Sequence, residues 1–198
     1  MSPKIVKKEQ KREEIALKAF NFIAEFGLEN FSTAAFIKYL GIGKSSLYHY
    51  FESKEEILYE AFYLVIVEYM KESQKKLKNE LSLKAKLEVL YDFYLVDNEE
   101  NIWFRGIYLE YLKIFVDAHT DDMKKSNEKL MTMYQNQFKT VFEEEIQKKN
   151  IKEESLNFIN SMITTADGML IYSFSMDDFD LSKELENYIE SFIYLIKI

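Results

Sequence analysis

Gly41-Ile42-Gly43-Lys44-Ser45-Ser46-Leu47-Tyr48-His49-Tyr50-Phe51, followed after Glu52 by Ser53-Lys54-Glu55-Glu56-Ile57-Leu58, is the stretch on which the fold of this chain turns. The two glycines close one helical pattern, and a second opens within a few residues. Glycine accepts the left-handed backbone that so short a turn demands. Two helices joined in this way make a helix-turn-helix, whose second helix is free to enter a major groove of DNA. Ile42, between the glycines, is expected to tuck into the core and fix the crossing angle. Leu47 and Phe51 stand four residues apart, so they share a face and hold the second helix inward. Lys44, Ser45, Ser46, Tyr48, His49 and Tyr50 occupy the other faces. Ser53 with Glu56 three residues on has the capping-box pattern that starts a further helix.

Upstream, Ile15, Ala19, Phe20, Phe22, Ile23 and Phe26 form an apolar stripe at helical spacing, which predicts a helix from about Glu9 to Phe26. Gly27 follows where a left-handed C′ residue is expected. Ser32 or Thr33 can cap the next helix, with Ala35, Phe36, Tyr39 and Leu40 as its apolar positions. Downstream, Ile57, Leu58, Ala61, Phe62 and Val65 carry a helix from the capping box to about Lys78. Further helices are expected near 83–98, 101–117, 122–149, 154–175 and 182–197, with acidic residues and serines in the intervening loops as N-caps. The whole chain holds one proline and five glycines, and no stretch alternates cleanly at period two. The expected class is therefore all-α: a three-helix helix-turn-helix domain at 1–54, then a larger helical domain at 55–198.

Composition removes several functional classes. Hydrophobic residues make up 47% of the 198, enough for a sizeable core. The absence of cysteine excludes disulfides and thiolate metal sites, and two histidines argue against a histidine metal site. His119, beside Asp117, Asp121 and Asp122, reads as part of a solvated acidic loop. No segment reaches the ~18 uninterrupted apolar residues of a membrane helix, and the charged N-terminus lacks a signal-peptide core, so a cytoplasmic protein with no membrane partner is expected. No phosphate-loop, dinucleotide or metalloprotease signature is present. His49 has no nucleophile and orienting acid in a recognisable motif. The expectation is a chain that is not an enzyme and needs no cofactor or metal. The net charge of −8 is unevenly spread: residues 1–54 hold nine Lys/Arg against six Asp/Glu, a net +3, and the remainder holds 17 against 28, a net −11. A basic end on an acidic body is what contact with phosphate asks for.

Residues 9–62 resemble the DNA-binding region of the tetracycline-repressor (TetR) family. The resemblance is carried by Ile15-Ala16-Leu17-Lys18-Ala19-Phe20, Gly27, Phe31-Ser32-Thr33, and above all by Leu47-Tyr48-His49-Tyr50-Phe51 ahead of Ser53-Lys54-Glu55-Glu56. It departs at Gly43, where the family often has a capping serine, and at Thr33-Ala34-Ala35, where a Thr-Val or Thr-Ile run is usual. The resemblance implies that Thr33, Tyr48, Tyr50 and Lys54 contact phosphates and that Lys44 and Ser45 read base edges; a lysine can donate to guanine O6 and N7. Ser46 and His49 complete the candidate DNA face. The bland alternative is a solvated polar surface on a small bundle.

The family also implies a homodimer through the last two helices on a palindromic operator, released by a small-molecule effector. Leu185, Tyr188, Ile189, Phe192, Ile193 and Ile196 cover more than one face of the last helix, and Phe158, Met162, Thr165, Met169 and Tyr172 add the preceding one. Gly106 and Gly168 sit inside apolar helical patterns, where glycine costs about 1 kcal/mol relative to alanine. By the resemblance Gly168 lies in a dimer helix, and Gly106 permits a bend. Trp103, Tyr108, Tyr111, Phe115, Tyr134, Phe138, Met162 and Asp167 are the candidate effector wall. Most aromatics are core in any helical protein, but tyrosine and tryptophan need polar partners when buried. Asp167, mid-helix among apolar residues, needs one too: a cationic ligand, a tyrosine hydroxyl or a residue across the dimer. A largely apolar effector is the favoured reading, because few other carboxylates share such positions; Asp92 and Glu110 keep a cationic multidrug ligand open. Control by a partner protein is the third reading.

Overall fold

Helix follows helix from end to end in the computed structural model, which describes residues 3–77, 81–117 and 120–198. The order is α1 (Pro3–Phe26), α2 (Thr33–Leu40), α3 (Lys44–Tyr48), α4 (Lys54–Lys76), α5 (Leu83–Leu90), α6 (Asp92–Leu95), α7 (Glu99–Val116), α8 (Asp121–Gln147), α9 (Ile159–Ser173) and α10 (Leu181–Ile196). Short 3₁₀ segments, Leu28–Asn30 and Glu153–Phe158, precede α2 and α9. Among the described residues there is no strand, only an isolated bridge between Ile151 and Lys197, so the all-α expectation holds. His119 and Lys78 lie outside the described residues.

The chain divides into two compact units, Met1–Glu68 with Glu110–Ser126, and Tyr69–Leu109 with Asn127–Ile198. This is not the division at 54/55 that the sequence suggests. The early part of α4 stays with the first unit because Tyr59 is buried there: its hydroxyl donates to the Met123 carbonyl at 3.1 Å and its ring lies 5.9 Å from that of Tyr111.

In the first unit, α1 to α3 close over Ile15, Ala19, Phe22 and Ile23 of α1, Phe36 of α2, and Leu47 and Phe51, all buried. Phe22 meets Phe31 and Phe36 edge-on at 5.5 and 6.2 Å, the offset geometry aromatic rings prefer. The Ser32 hydroxyl caps α2 by accepting from the Ala35 amide at 3.2 Å. Gly41 ends α2 in the left-handed conformation, φ 65°, ψ 30°, as the turn requires. Gly27 differs from expectation: φ 85° with ψ 151° is not the left-handed helical region but an extended one that non-glycine residues rarely adopt. Ile42 is half-buried rather than in the core.

In the second unit, Leu87, Tyr91, Phe138, Phe142, Ala166, Leu170, Leu185 and Ile189 are fully buried in one cluster drawn from α5, α8, α9 and α10. The helix expected over 83–98 breaks at Tyr91 (φ −103°, ψ 9°) into α5 and α6. Side chains of α7 take the carbonyls that a continuous helix would use internally. Arg105 donates to the Phe93 and Val96 carbonyls at 2.8 and 3.0 Å, and Asn101 to Val96 at 2.9 Å. The helix expected over 154–175 opens as the 3₁₀ segment instead. Leu185, Ile189, Phe192, Ile196 and Met162, expected at a dimer surface, are buried in this unit's own core. Tyr188, Ile193, Thr165 and Met169 are half-buried, and only Phe158 and Tyr172 of that set are exposed.

Candidate nucleic-acid interface and effector site

The recognition surface is built on a buried base. Leu47 and Phe51 are 1% exposed, and between them they hold α3 and the turn after it against α1 and α2. Lys44, Ser45, Ser46, Tyr48 and His49 are all exposed. Tyr48 is 45% exposed with the Lys44 ammonium 5.7 Å from its ring, so a cation and an aromatic face stand together on the outer side. Helix α3 stops at Tyr48, earlier than the sequence suggests; His49 and Tyr50 form a turn in which their rings lie 5.1 Å apart. Tyr50 and Thr33 are half-buried. Lys54, also half-buried, lies over the Phe31 ring at 6.0 Å, which places it near the N-terminal end of α2, where Thr33 stands.

Arg12 is the residue that the sequence reading missed. Its guanidinium donates to the Tyr50 carbonyl and to Glu56 Oε1 (2.7 Å) and Glu60 Oε2 (3.4 Å), and it covers the Phe51 ring at 4.4 Å. One side chain of α1 thus holds the end of the recognition segment and the first turns of α4. Burial pushes the Glu60 carboxyl above its ordinary value, with Arg12 working against that shift. The capping box is modified accordingly. Ser53 Oγ accepts from the Glu56 amide at 3.1 Å, but the Glu56 carboxylate accepts from the Glu52 amide (2.6 Å) and from Arg12 rather than from Ser53. Lys7 and Lys8, also unremarked in the sequence, share a cleft of about 830 Å³ with His49 and Tyr50. Helix α1 starts at Pro3, well before the expected Glu9, and that extension carries both lysines.

The candidate effector residues are divided between the two units. Tyr111 and Phe115, rings 5.7 Å apart, belong to the first unit beside Tyr59 and Phe62. In the second unit, Asp167 Oδ1 accepts from the Tyr94 hydroxyl at 2.7 Å and from Tyr108 at 3.2 Å. Tyr134 and Phe138 meet edge-on at 5.4 Å, and Tyr91, against Phe138 at 5.3 Å, donates its hydroxyl to the Met162 carbonyl at 3.0 Å. So Tyr108, Tyr134, Phe138, Met162 and Asp167 share a neighbourhood with Tyr91 and Tyr94, two tyrosines outside the expected wall. Trp103 is 37% exposed and lies against Phe104. Of the three kinds of partner open to Asp167, the chain itself supplies tyrosine hydroxyls. Burial nonetheless raises its carboxyl above the ordinary range, while Tyr94 and Tyr108 lower it. Asp92 and Glu110 are paired, Asp92 with Tyr69 and Lys76, Glu110 with Lys113. Among the described residues no group of His, Asp and Glu could hold a metal ion, and no helix is long and apolar enough to cross a membrane.

Residues 15–61 match the family described as bacterial regulatory proteins, tetR family. None of the curated protein sequences matches the chain. Among solved structures, a TetR transcription regulator from Haloarcula marismortui ATCC 43049 superposes with a TM-score of 0.73 at 14% identity, covering 96% of this chain and 100% of its own. A regulator-like protein from Saccharomonospora viridis, in complex with choline, gives 0.69 at 14% identity over 94% of this chain and 96% of its own. The regulator FadR of Bacillus subtilis, in complex with stearoyl-CoA, gives 0.58 at 18% identity over 93% and 97%. At such identities the likeness is one of fold.

Proposed function

We propose, from the family match of residues 15–61 and the likeness of fold, that this chain is a TetR-family regulator and a ligand-responsive repressor that binds a palindromic operator as a dimer. The observation that carries the reading is the recognition segment: Lys44, Ser45, Ser46, Tyr48 and His49 stand exposed over buried Leu47 and Phe51, after a left-handed glycine turn. Polar side chains in that arrangement reach base edges and phosphates when the helix enters a major groove. A second copy related by a two-fold axis would present the same helix to the next half-site. The protein would act in the cytoplasm, where its operator is.

The effector is proposed to be small and largely apolar. Asp167 supports this, because two tyrosine hydroxyls already satisfy it and no cation is needed to neutralise it. One observation favours the cationic alternative: burial raises the same carboxyl, and a cation would relieve that. An effector acts only through its different affinity for the operator-binding state and the released state.

The test is selection of an operator from a random duplex pool, followed by variants. Tyr48→Ala and Lys54→Ala are expected to weaken binding to all sequences, and Lys54→Ala to lower the log–log salt slope by about one. Lys44→Ala is expected to change the preferred sequence instead. Binding that survives both the Tyr48 and Lys54 changes unaltered would put the DNA face elsewhere.

A further inference from the structure

We infer that Arg12 is the positioning residue of the recognition segment: it never needs to touch DNA, yet operator affinity depends on it. This rests on the DNA-binding reading above.

Little else holds the segment. Helix α3 is five residues long, with one full turn of backbone bonds, and Gly43 at its N-cap offers no side-chain acceptor. So short a helix is unstable on its own. Its inward anchors are two side chains, Leu47 and Phe51. Phe51 carries the Arg12 guanidinium on its ring face at 4.4 Å. The same guanidinium donates to the carbonyl of Tyr50, the residue just before. Its other nitrogen is held by Glu56 and Glu60, on the first two turns of α4. The guanidinium is planar, so these donations and the ring contact fix its plane, and the plane fixes where the end of the segment sits.

A lysine in its place would keep the charge opposite Glu56 and Glu60 but would lose the fork and the flat stacking surface. Arg12 is only part-buried, at 25% side-chain exposure, so it tolerates substitution better than a core residue. Its guanidinium is engaged by two carboxylates, which leaves it poorly placed to neutralise a phosphate as well.

The experiment compares wild type, Arg12→Lys, Arg12→Gln and Glu56→Gln on the duplex that the wild-type protein selects and on a scrambled duplex of equal length. Arg12→Gln is expected to lose about tenfold or more in affinity for the selected duplex, the size of one lost charge-assisted hydrogen bond. Its salt slope and its affinity for scrambled DNA stay at the wild-type level. Arg12→Lys falls between. Glu56→Gln, which loosens the guanidinium without removing it, moves the same way by less; it keeps the test alive should Arg12→Gln not fold. Amide hydrogen exchange on the free proteins reads the clamp without DNA: Ser46, Leu47 and Phe51 exchange faster in Arg12→Gln while α1 does not. A salt slope reduced by about one would overturn the proposal in favour of a direct phosphate contact. Equal losses on both duplexes, or wild-type exchange, would overturn it too. A wild-type protein that selects no duplex at all sinks the DNA-binding reading, and the exchange result still decides whether Arg12 holds the segment.

Discussion

Asp167 shows at single-residue scale how a half-buried charge is made tolerable. It lies in α9 with apolar neighbours on both sides, and its carboxylate accepts hydrogen bonds from the Tyr94 and Tyr108 hydroxyls. Removing a donor and removing the charge should therefore act in opposite directions. Tyr94→Phe leaves a half-satisfied carboxylate and is expected to cost about 1–3 kcal/mol. Asp167→Asn keeps an acceptor oxygen for both hydroxyls and drops the charge, so its stability should match or exceed wild type. Urea titrations of both variants check this. The Asn variant also separates the effector classes: binding of cationic dyes is lost and that of apolar compounds is retained if the site takes both. The need for a partner was legible in the sequence, since a mid-helix aspartate among apolar residues has few alternatives. Which tyrosines answer it was not, because Tyr94 and Tyr108 are 73 and 59 residues away. Arg12 was invisible for the same reason, its partners being 38 to 48 residues distant. Leu47 and Phe51 were legible because a spacing of four fixes a shared face within one turn.

Between elements, the tie from α5 to α8 carries a pH dependence. The Lys86 ammonium is buried and donates to Glu144 at 2.8 Å and Glu145 at 3.1 Å. For Glu145 the largest influence is burial, which raises its carboxyl; hydrogen bonds from Asn150, Lys148 and Lys86 outweigh it and hold the group down at about 2. A carboxyl depressed in the folded state stabilises the fold above its unfolded value of 4.5, and that stability drains away as pH falls toward 2. The urea midpoint of the wild type is thus expected to drop between about pH 5 and about pH 3, and Glu145→Gln to remove part of that drop. At neutral pH the same variant should be less stable by about 1–3 kcal/mol, because Lys86 keeps only Glu144 as a charged partner. If the variant titrates in parallel with wild type, the depression of Glu145 is not what the geometry implies. Element boundaries follow a similar logic of reach. Caps made by neighbouring residues were readable, as with Ser32, Ser53 and the Asp180 carboxylate that accepts from the Lys183 amide. The break at Tyr91 was not readable, because no glycine or proline marks it. Arg105 and Asn101, from the next helix but one, impose it.

For the whole molecule, self-association depends on what the fold leaves uncovered. The apolar residues of α10 that looked surplus to one core stripe, Leu185, Ile189, Phe192 and Ile196, are used by the chain's own core. A different set remains outside: Ile171 and Tyr172 of α9, 49% and 56% exposed, and Tyr194 and Leu195 of α10, 83% and 67% exposed. Ser161, Thr164 and Gly168 lie on the face of α9 that leads to Tyr172, all exposed. Gly168 is the informative member. Glycine inside a helix costs about 1 kcal/mol relative to alanine, and among the described residues nothing beyond its own stretch of helix comes within 4 Å of where its Cβ would stand. One copy alone gives no reason for it; a second helix crossing close to α9 would. Gly168→Leu is therefore expected to leave the isolated chain as stable as before or more so, and to weaken the dimer by filling the crossing. Tyr172→Glu and Leu195→Glu should dissociate it by burying charge. Sedimentation velocity across the micromolar range, with thermal melts at a concentration where every variant is monomeric, separates the two effects. A wild type that sediments as a monomer throughout would end the dimer reading. A dimer indifferent to Gly168→Leu but broken by the glutamates would move the crossing from the middle of α9 to the ends of the two helices.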